Sequence, residues 1–375
     1  MNQSDAPSVP FLRPMLPSFE VLQHRLRDCL DSGILTKGKY LREYEENVAT
    51  HLGVAEAVAV SSCTTGLVLA YRALGLTGEV ILPSFTFMAT AQALAWAGLE
   101  PVFVDIDPAT WNIDPARIEE AITPRTSAIV GVHIFGNPAP CEDLEAIGSK
   151  HGLMVVFDAA HGFGALRGGR PVGGSGAAEI FSTSPTKLLV TGEGGIVATN
   201  DHDLAKLVRV AREYGNPGDY GSIIAGTNGR MPEWNAILGI ESLKLLEANA
   251  TARNDIARLY SERFTDSPGI ELQRVAPQDR SSCKDFSILI DGQRFGASRD
   301  EVVEHLTRMG IQTRNYYDPP VHRHETYSHL RARYEERLPV TNDVAARIIS
   351  LPIWAGLSPD DVCRVVEEVQ QAGRR

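Results

Sequence analysis

Short runs of consecutive apolar residues recur along the first two hundred positions of the chain. Such runs are typical of strands that are buried on both faces of a parallel sheet. The pattern predicts strands at 58–60, 80–82, 102–104, 128–132, 154–157, 180–182 and 195–199. Most are separated by stretches with helical spacing, which indicates a mostly parallel α/β sheet. Because the interval 189–199 is too short for a crossover helix, we expect one strand of this sheet to be antiparallel.

The start of the chain and the stretch after the last of these strands have other patterns. Four prolines within residues 1–17 predict an extended arm. Helical segments are expected within 19–52, on both sides of a glycine-bounded turn at 33–38. A longer amphipathic stretch predicts a helix at 232–250 that leads out of the sheet region.

The C-terminal third mixes both kinds of element. Its pattern predicts helices at 299–309 and 359–371 and strands near 286–289 and 311–315. With 375 residues, 43% of them hydrophobic, the chain exceeds the usual size of a single core. We therefore expect an arm at 1–17, a large α/β domain at 18–250 and a small α+β domain at 251–375.

Composition excludes several classes of protein. A net charge of −11 argues against a nucleic-acid surface. The five cysteines include no CxxC pair, so neither a zinc ribbon nor a disulfide framework is expected, and we predict no metal site. Residues 1–17 lack the apolar segment of a signal peptide, and no run of 18 apolar residues follows. The expectation is a cytoplasmic enzyme that has no membrane partner.

One lysine, Lys187, lies between a hydroxyl-rich turn and a glycine-rich turn in the segment FSTSPTKLLVTGEGG at 181–195. An exposed lysine is a hydrated cation with a pKa of roughly 10.4. Desolvation by the apolar residues at 188–190 would favour the neutral amine, which attacks carbonyl carbons. Schiff-base chemistry with pyridoxal phosphate (PLP) requires such an amine, donors for a phosphate and a partner for the pyridine nitrogen. For a lysine taken alone, a surface residue before a loop is the favoured alternative.

Asp158 and His161 follow the apolar run at 154–157. Open α/β sheets bind ligands at the carboxyl ends of their strands, which is where Asp158 is expected. A carboxylate there could keep the pyridine nitrogen of PLP protonated, and His161 could lie beside the ring. The alternatives are an N-cap for Asp158 and a half-buried structural imidazole for His161.

Two further strand-to-helix junctions could hold other parts of a cofactor. The turn at 61–66 (SSCTTG) precedes a predicted helix, whose first N–H groups and nearby hydroxyls form an anion site. Ordinary capping explains Ser61 or Ser62 equally well. Phe87 follows the strand at 80–82 and could offer an aromatic face to a flat ring, although a core phenylalanine is the alternative.

In this order, the segments resemble the DegT/DnrJ/EryC1/StrS family of PLP-dependent aminotransferases, which act on sugar nucleotides and cyclitols. The resemblance begins at 32–38 (SGILTKG), similar to the family's SGWLTxG. The segment NGRMPE at 228–233 is likewise similar to the family's NxRMxE. The other matching segments are 61–64, 83–90, 101–105, 158–161, Lys187 with 192–195, 349–352 and 357–361. It implies fold type I of the PLP-dependent transferases, an α/β fold with a mostly parallel sheet in the large domain and a smaller α+β C-terminal domain.

The resemblance also implies roles for individual residues. Lys187 matches the Schiff-base lysine, Asp158 the partner of the pyridine nitrogen, and His161 a residue beside the ring; these three are the predicted catalytic residues. It further implies five cofactor contacts: a phosphate turn at Cys63 and Thr64, ring stacking by Phe87, a phosphate contact from Ser182, and one from Asn228 of the neighbouring subunit of a homodimer. The family more often has glycine at the position of Cys63.

The implied reaction transfers an amino group from L-glutamate to a nucleotide-linked keto-deoxysugar. The GEGG turn at 192–195 favours C4 of a dTDP-4-keto-6-deoxyhexose, because C3 enzymes more often have GDxG there. Arg230 or the histidines at 322–324 could anchor the diphosphate. Three alternatives within the family stay open: a cyclitol aminotransferase acting on scyllo-inosose, a sugar C3 aminotransferase, and a non-catalytic PLP-binding regulator. A nicotinamide dehydrogenase is disfavoured because the glycines at 162–164 lack the third glycine of the fingerprint.

Overall fold

The computed structural model describes residues 8–374. The strands in this part of the chain are β1 (Glu56–Val60), β2 (Glu79–Pro83), β3 (Glu100–Val104), β4 (Thr126–Val132), β5 (Met154–Asp158), β6 (Leu166–Arg167), β7 (Arg170–Pro171), β8 (Ala178–Ser182), β9 (Gly195–Thr199), β10 (Ile270–Leu272), β11 (Phe286–Ile290) and β12 (Ile348–Leu351). The α-helices are α1 (Phe19–Ser32), α2 (Lys39–Leu52), α3 (Cys63–Ala73), α4 (Met88–Ala97), α5 (Cys141–His151), α6 (His202–Ala211), α7 (Glu233–Phe264), α8 (Gly292–Phe295), α9 (Arg299–Arg308), α10 (Ser328–Tyr334), α11 (Pro339–Arg347) and α12 (Pro359–Ala372).

A seven-stranded sheet with the order β1-β9-β8-β5-β4-β2-β3 forms the centre of the large unit. All seven strands predicted from apolar runs are present, and helices pack on both faces of the sheet. The pairs β2–β3, β2–β4, β4–β5 and β5–β8 are parallel, whereas β9 is antiparallel to both of its neighbours. The predicted α/β class and its one antiparallel strand are therefore confirmed.

The turn at 33–38 lies between α1 and α2, as predicted, and is tied to the segment before α7. The carboxylate of Glu233 accepts N–H bonds from Gly38, Tyr40 and Leu41 at 2.9–3.1 Å, which satisfies the free donors at the start of α2. A Cβ on Gly38 would lie 2.6 Å from Glu233 Oε2, so a larger residue here would have to displace this carboxylate. The SGILTKG segment at 32–38 and the NGRMPE segment at 228–233 thus contact each other through Glu233.

Helix α7 is longer than the pattern predicted. It continues past residue 250 to Phe264, because Ile256, Tyr260 and Phe264 repeat every fourth residue and remain buried. Ala250 still packs with the core of the large sheet, whereas Ile256 packs with the C-terminal core. The predicted domain boundary at 250/251 lies inside this helix and stays a prediction.

The C-terminal unit contains a three-stranded antiparallel sheet in the order β10-β11-β12, with α9 and α12 in its core. The predicted helices at 299–309 and 359–371 and the strand near 286–289 correspond to α9, α12 and β11. The predicted strand at 311–315 is wrong. Ile311 and Arg314 form only isolated bridges, to Val9 and Ser350, because β12 takes the place beside β11.

Of the predicted arm, residues 1–7 lie outside the described part of the chain, and residues 8–17 contain no helix or strand. Val9 and Phe11 are buried, and the Val9 N–H donates to the Gly310 carbonyl at 3.1 Å. The described part of the arm therefore docks on the C-terminal unit. Among residues 8–374, none of the helices combines the length and the apolar character that crossing a membrane requires.

Candidate active site

A cavity of about 360 Å³ lies beside the ends of β5 and β8 and the start of α3. This is the edge of the sheet where parallel strands end, as the sequence predicted. Seven of the eight predicted site residues line the cavity: Cys63, Thr64, Phe87, Asp158, His161, Ser182 and Lys187.

Lys187 is held on a loop that is closed at its base. Thr183 and Thr191 pair through a backbone hydrogen bond of 2.8 Å and a hydroxyl contact of 2.7 Å. After Lys187, three buried residues at 188–190 fix the loop in the core of the large unit. Burial, together with the positive charge of Lys284, lowers the pKa of Lys187 to about 8. The lysine thus has the properties of a nucleophilic amine.

Asp158, the last residue of β5, is buried and receives three hydrogen bonds, of which the one from the Cys63 thiol to Oδ1 is long, at 3.9 Å. Its Oδ2 accepts from Thr90 Oγ1 at 2.7 Å, and its Oδ1 accepts from the Ala160 N–H at 3.0 Å. Because the Thr90 hydroxyl donates to Asp158, Thr86 donates to Thr90 in their 2.9 Å contact. No α-helix begins at Asp158, so the N-cap alternative does not apply.

The Asp158 carboxylate has no cationic partner within 4 Å among residues 8–374. Burial raises its pKa, while the bonds from Thr90 and Ala160 oppose that rise. A buried carboxylate of this kind would be stabilised by a bound cationic ring nitrogen. This observation fits the pyridine ring of PLP.

His161 is a neutral imidazole in the cavity wall. Its Nδ1 accepts the Phe135 N–H at 3.2 Å, which leaves Nε2 as the protonated nitrogen. The two rings stack with centroids 6.4 Å apart and planes 14° apart. Burial, with Lys187 and Lys284 nearby, holds the pKa of His161 well below its usual range. The imidazole is therefore positioned as a hydrogen-bond donor toward a ligand.

An anion site is present where α3 begins. Ser62 is the N-cap and its Oγ accepts the Thr65 N–H at 3.1 Å, while Cys63 and Thr64 occupy the first turn, whose N–H groups have no intrahelical acceptors. Gly195 of β9 pairs with Ser182, and a Cβ on it would lie 2.5 Å from the Cys63 nitrogen. Gly195, the last glycine of the GEGG turn, therefore lets the sheet approach the helix start, where a phosphate fits.

Phe87 lies at the entrance of the cavity, and its side chain is 49% exposed. It is the residue before α4 and packs at a tilt against Tyr317, with centroids 6.1 Å apart. The core-phenylalanine alternative therefore does not hold. An exposed aromatic face beside Lys187 and Asp158 is available to cover a bound ring.

Asn228 does not line the cavity of its own chain. It is exposed, in a loop whose next residue, Gly229, accepts the Ser61 N–H at 2.8 Å. Asn228 therefore lies next to a residue that contacts the anion site, but it does not itself line the cavity of its own subunit. Its predicted contact with a partner subunit's cofactor stays a prediction.

Sequence reasoning missed two residues of this site, Lys284 and Thr90, whereas the loop at 316–322 was expected to help hold the sugar. Lys284 reaches the cavity from the C-terminal unit together with Tyr316 and Tyr317, and Thr90 supports Asp158 from α4. A lysine before a predicted strand carries no linear signal of a site. The position of Thr90 one turn into a helix behind Phe87 could have indicated that it faces the end of β5.

Of the suggested diphosphate anchors, His322 and Arg230 are engaged elsewhere, whereas His324 is half-buried and its Nε2 lies 3.0 Å from the Pro319 carbonyl oxygen. His322 is fully buried, and its Nδ1 lies 2.8 Å from Ser84 Oγ. Burial, with Arg323 nearby, lowers the pKa of His322 to about 4, so it carries no positive charge near neutral pH. Arg230 pairs with Glu213 at 3.0 Å. Neither side chain presents a free cation to the cavity.

Known proteins resemble this chain along nearly its whole length. A sequence profile of the DegT/DnrJ/EryC1/StrS aminotransferase family matches residues 19–370. The chain is 33% identical over 362 residues to the dTDP-4-amino-4,6-dideoxy-D-glucose transaminase of Escherichia coli, covering 96% of this chain and 97% of that protein. It is 34% identical over 381 residues to the dTDP-3-amino-3,4,6-trideoxy-alpha-D-glucose transaminase of Streptomyces venezuelae, covering 100% of this chain and 98% of that protein. The solved structure of DesI in the presence of its TDP-sugar product superposes with a TM-score of 0.93 at 40% identity, covering 99% of this chain and 94% of that one.

Proposed function

Because this chain belongs to the DegT/DnrJ/EryC1/StrS family and is a PLP-dependent aminotransferase, we propose that it aminates a nucleotide-linked ketosugar with L-glutamate as the donor. The acceptor we propose is C4 of a dTDP-4-keto-6-deoxyhexose. The observation that carries the proposal is the pairing of the Lys187 amine with the buried, cation-free Asp158 in one cavity.

The residues around the cavity fit PLP. We propose that Lys187 would hold its aldehyde carbon, Asp158 its ring nitrogen, and the first turn of α3 with Ser182 its phosphate, with Phe87 over the ring. His161 would donate a hydrogen bond beside the ring. Bound PLP supplies an electron sink for the charge that develops when the donor loses its α-proton.

Once the amino donor has taken the place of Lys187 at the cofactor, the free Lys187 amine can carry the α-proton of the donor. Its lowered pKa makes it a base near neutral pH, so it can take the proton from the donor and return it to a neighbouring carbon. Asp158, held by Thr90, keeps a negative charge near the ring nitrogen throughout. The same residues serve the reverse sequence with the ketosugar.

Two observations support C4 as the position of amination. The turn at 192–195 reads GEGG, and the Escherichia coli relative is named for a 4-amino-4,6-dideoxy sugar. The Streptomyces venezuelae relative, named for a 3-amino sugar, is equally similar, so C3 is the second candidate. Neither relative is similar enough for its own substrate to be transferred to this chain.

The test is a single turnover of the enzyme loaded with pyridoxamine phosphate. It is mixed in turn with a dTDP-4-keto-6-deoxyhexose, its 3-keto isomer and scyllo-inosose, and the products are identified by mass spectrometry and NMR. We expect a 4-amino sugar. Amination only at C3 or only of the inosose would move the enzyme to that branch. No reaction with any acceptor, with the cofactor bound, would favour the non-catalytic regulator.

We also propose that the active unit is a homodimer in which Asn228 contacts the partner's cofactor phosphate. Asn228 is exposed outside its own cavity, and large apolar side chains are exposed on the same loop and on α4 (Tyr220, Ile223 and Trp96). Arg72 joins these two segments through the carbonyls of Ala225 and Trp96, at 3.4 and 3.0 Å. Exposed apolar surface of this kind is typical of an interface.

Mixing two inactive variants tests the shared site. Lys187→Ala and Asn228→Ala chains are combined and allowed to exchange subunits. Each hybrid dimer then has one intact site, which is about a quarter of all sites under random exchange. Recovery near that level supports the proposal. No recovery after verified exchange contradicts it, as does full activity of Asn228→Ala alone.

A further inference from the structure

The cavity contains a second lysine that none of the roles above uses. Lys284 is 4% exposed, and its Nζ donates to Asp285 Oδ1 at 2.7 Å. Within residues 8–374 this is the only hydrogen bond of the ammonium group, which carries three donors. The face of the Tyr316 ring lies 5.9 Å away and supplies no conventional acceptor. Two donors of a buried cation therefore remain without a protein acceptor.

The backbone around Lys284 is fixed, unlike that of a surface lysine. Its N–H donates to the Phe135 carbonyl at 3.0 Å. The carbonyls of Cys283 and Lys284 accept from the buried Arg253 Nη1 at 3.3 and 3.0 Å. The backbone of Lys284 is therefore fixed by α7 and the turn after β4, and its ammonium group is held by the adjacent Asp285.

The cavity contains charges of both signs. Lys187 and Lys284 line it and Arg253 is buried behind Lys284, while Asp158 and Glu193 also line it and Asp285 adjoins Lys284. Asp158 is the proposed partner of the ring nitrogen, so the two unused donors of the buried Lys284 are the feature of this wall that favours an anionic ligand.

The reactants differ in where they carry negative charge. The cofactor phosphate has a site at the start of α3, and a ketosugar carries its negative charge on the remote diphosphate. An amino-acid donor carries a carboxylate next to the reacting carbon, within reach of a group that lines the same cavity as Lys187.

We propose that Lys284, held by Asp285, is the binding site for a carboxylate of the amino donor. The inference rests on the proposed function for the identity of the donor as L-glutamate. Lys284 would then select an amino acid over a simple amine as the donor. The carboxylate would also accept the two hydrogen bonds that the Lys284 ammonium group leaves unused.

Glutarate tests the inference without turnover, because it has the two carboxylates of glutamate and no amine. Its affinity for the PLP-loaded protein is measured by calorimetry. We expect Lys284→Gln to weaken binding by about tenfold to a hundredfold, the effect of losing a charge-assisted hydrogen bond. Lys284→Arg should retain most of the affinity. PLP absorbance and the thermal unfolding midpoint verify that each variant is loaded and folded.

Lys244→Gln is the matched control. Lys244 pairs with Glu241 at the same 2.7 Å, but its side chain is 62% exposed and outside the cavity. This variant should bind glutarate as the parent does. In rapid mixing, Lys284→Gln should slow the reaction with glutamate more than the reaction of the pyridoxamine phosphate form with the ketosugar, because both reactions use Lys187 but only the first has a donor carboxylate.

Several results would overturn the inference: no glutarate binding by the parent, equal glutarate affinity in the parent and Lys284→Gln, loss of PLP from that variant, or a defect confined to the ketosugar reaction. A parent enzyme that binds glutarate through Lys284 but aminates no ketosugar would contradict the proposed function and still support this inference.

Discussion

Capture of PLP by the cofactor-free enzyme should depend on pH in a way that an ordinary lysine does not allow. The reacting form is the neutral amine, and burial with the neighbouring Lys284 lowers the pKa of Lys187 to about 8. The perturbation is therefore pH itself, varied from 6 to 10. Because a lowered pKa favours the neutral form, the rate should rise as pH increases and level off above about pH 8.

The size of the effect follows from the two pKa values. At pH 7 an amine with a pKa of about 8 is roughly 9% neutral, whereas one at 10.5 is roughly 0.03% neutral. Lys187 should thus offer about 300-fold more reactive amine than an exposed lysine at that pH. Below pH 8 the rate should increase about tenfold per pH unit.

The assay is stopped-flow absorbance of PLP mixed with the cofactor-free enzyme at subsaturating concentrations. Rates are divided by those of PLP with Nα-acetyl-lysine in the same buffers, expressed per neutral ε-amine, which removes the titration of PLP itself and leaves that of Lys187. Lys187→Ala gives the background. A corrected rate that keeps rising tenfold per unit to pH 10 would refute the lowered pKa. An unchanged trace in Lys187→Ala would refute the identity of the amine.

Three further predictions concern residues that line the cavity or hold its lining in place. Asp158→Asn should retain PLP yet slow the glutamate reaction by orders of magnitude, because the ring nitrogen loses its anion; a parent-like rate contradicts this. Thr90→Val removes the 2.7 Å bond that opposes the burial-raised pKa of Asp158, so the acid limb of the rate–pH profile should move to higher pH; an unmoved limb contradicts this. Gly195→Ala places a Cβ 2.5 Å from the Cys63 nitrogen and should weaken PLP binding by about tenfold or more in a fluorescence titration. Gly174→Ala, with no atom nearer than 3.7 Å, is its control and should bind PLP normally.

Much of the large sheet was predictable because its strands are buried on both faces. A run such as 154–157 has no polar position to expose, so both its strand type and its parallel setting follow from composition. The position of Asp158 at the sheet edge followed from the same pattern. Seven predicted site residues meet in one cavity because each lies at or shortly after the carboxyl end of β1, β2, β5 or β8, and these ends share one edge of the sheet.

Other features of the fold and the site depend on packing between distant parts of the chain, which no local sequence pattern shows. Helix α7 extends to Phe264 because its buried residues pack with the core of the large sheet as far as Ala250 and with the C-terminal core from Ile256 onward. The segment at 311–315 has strand-like composition but lies beside the arm and β12, where only single bridges form. Lys284 enters the cavity because the turn before β11 bonds to the Phe135 carbonyl, a contact across 149 positions of sequence.

The central claim is that Lys187, and not the other buried lysine of the cavity, holds the cofactor. Borohydride reduction of the PLP-loaded protein makes the bond between the amine and the cofactor permanent, and peptide mapping by mass spectrometry then locates the phosphopyridoxyl group. The account predicts the group on the peptide that contains Lys187, and no labelled peptide from Lys187→Ala. Label on Lys284 in the parent protein would contradict it.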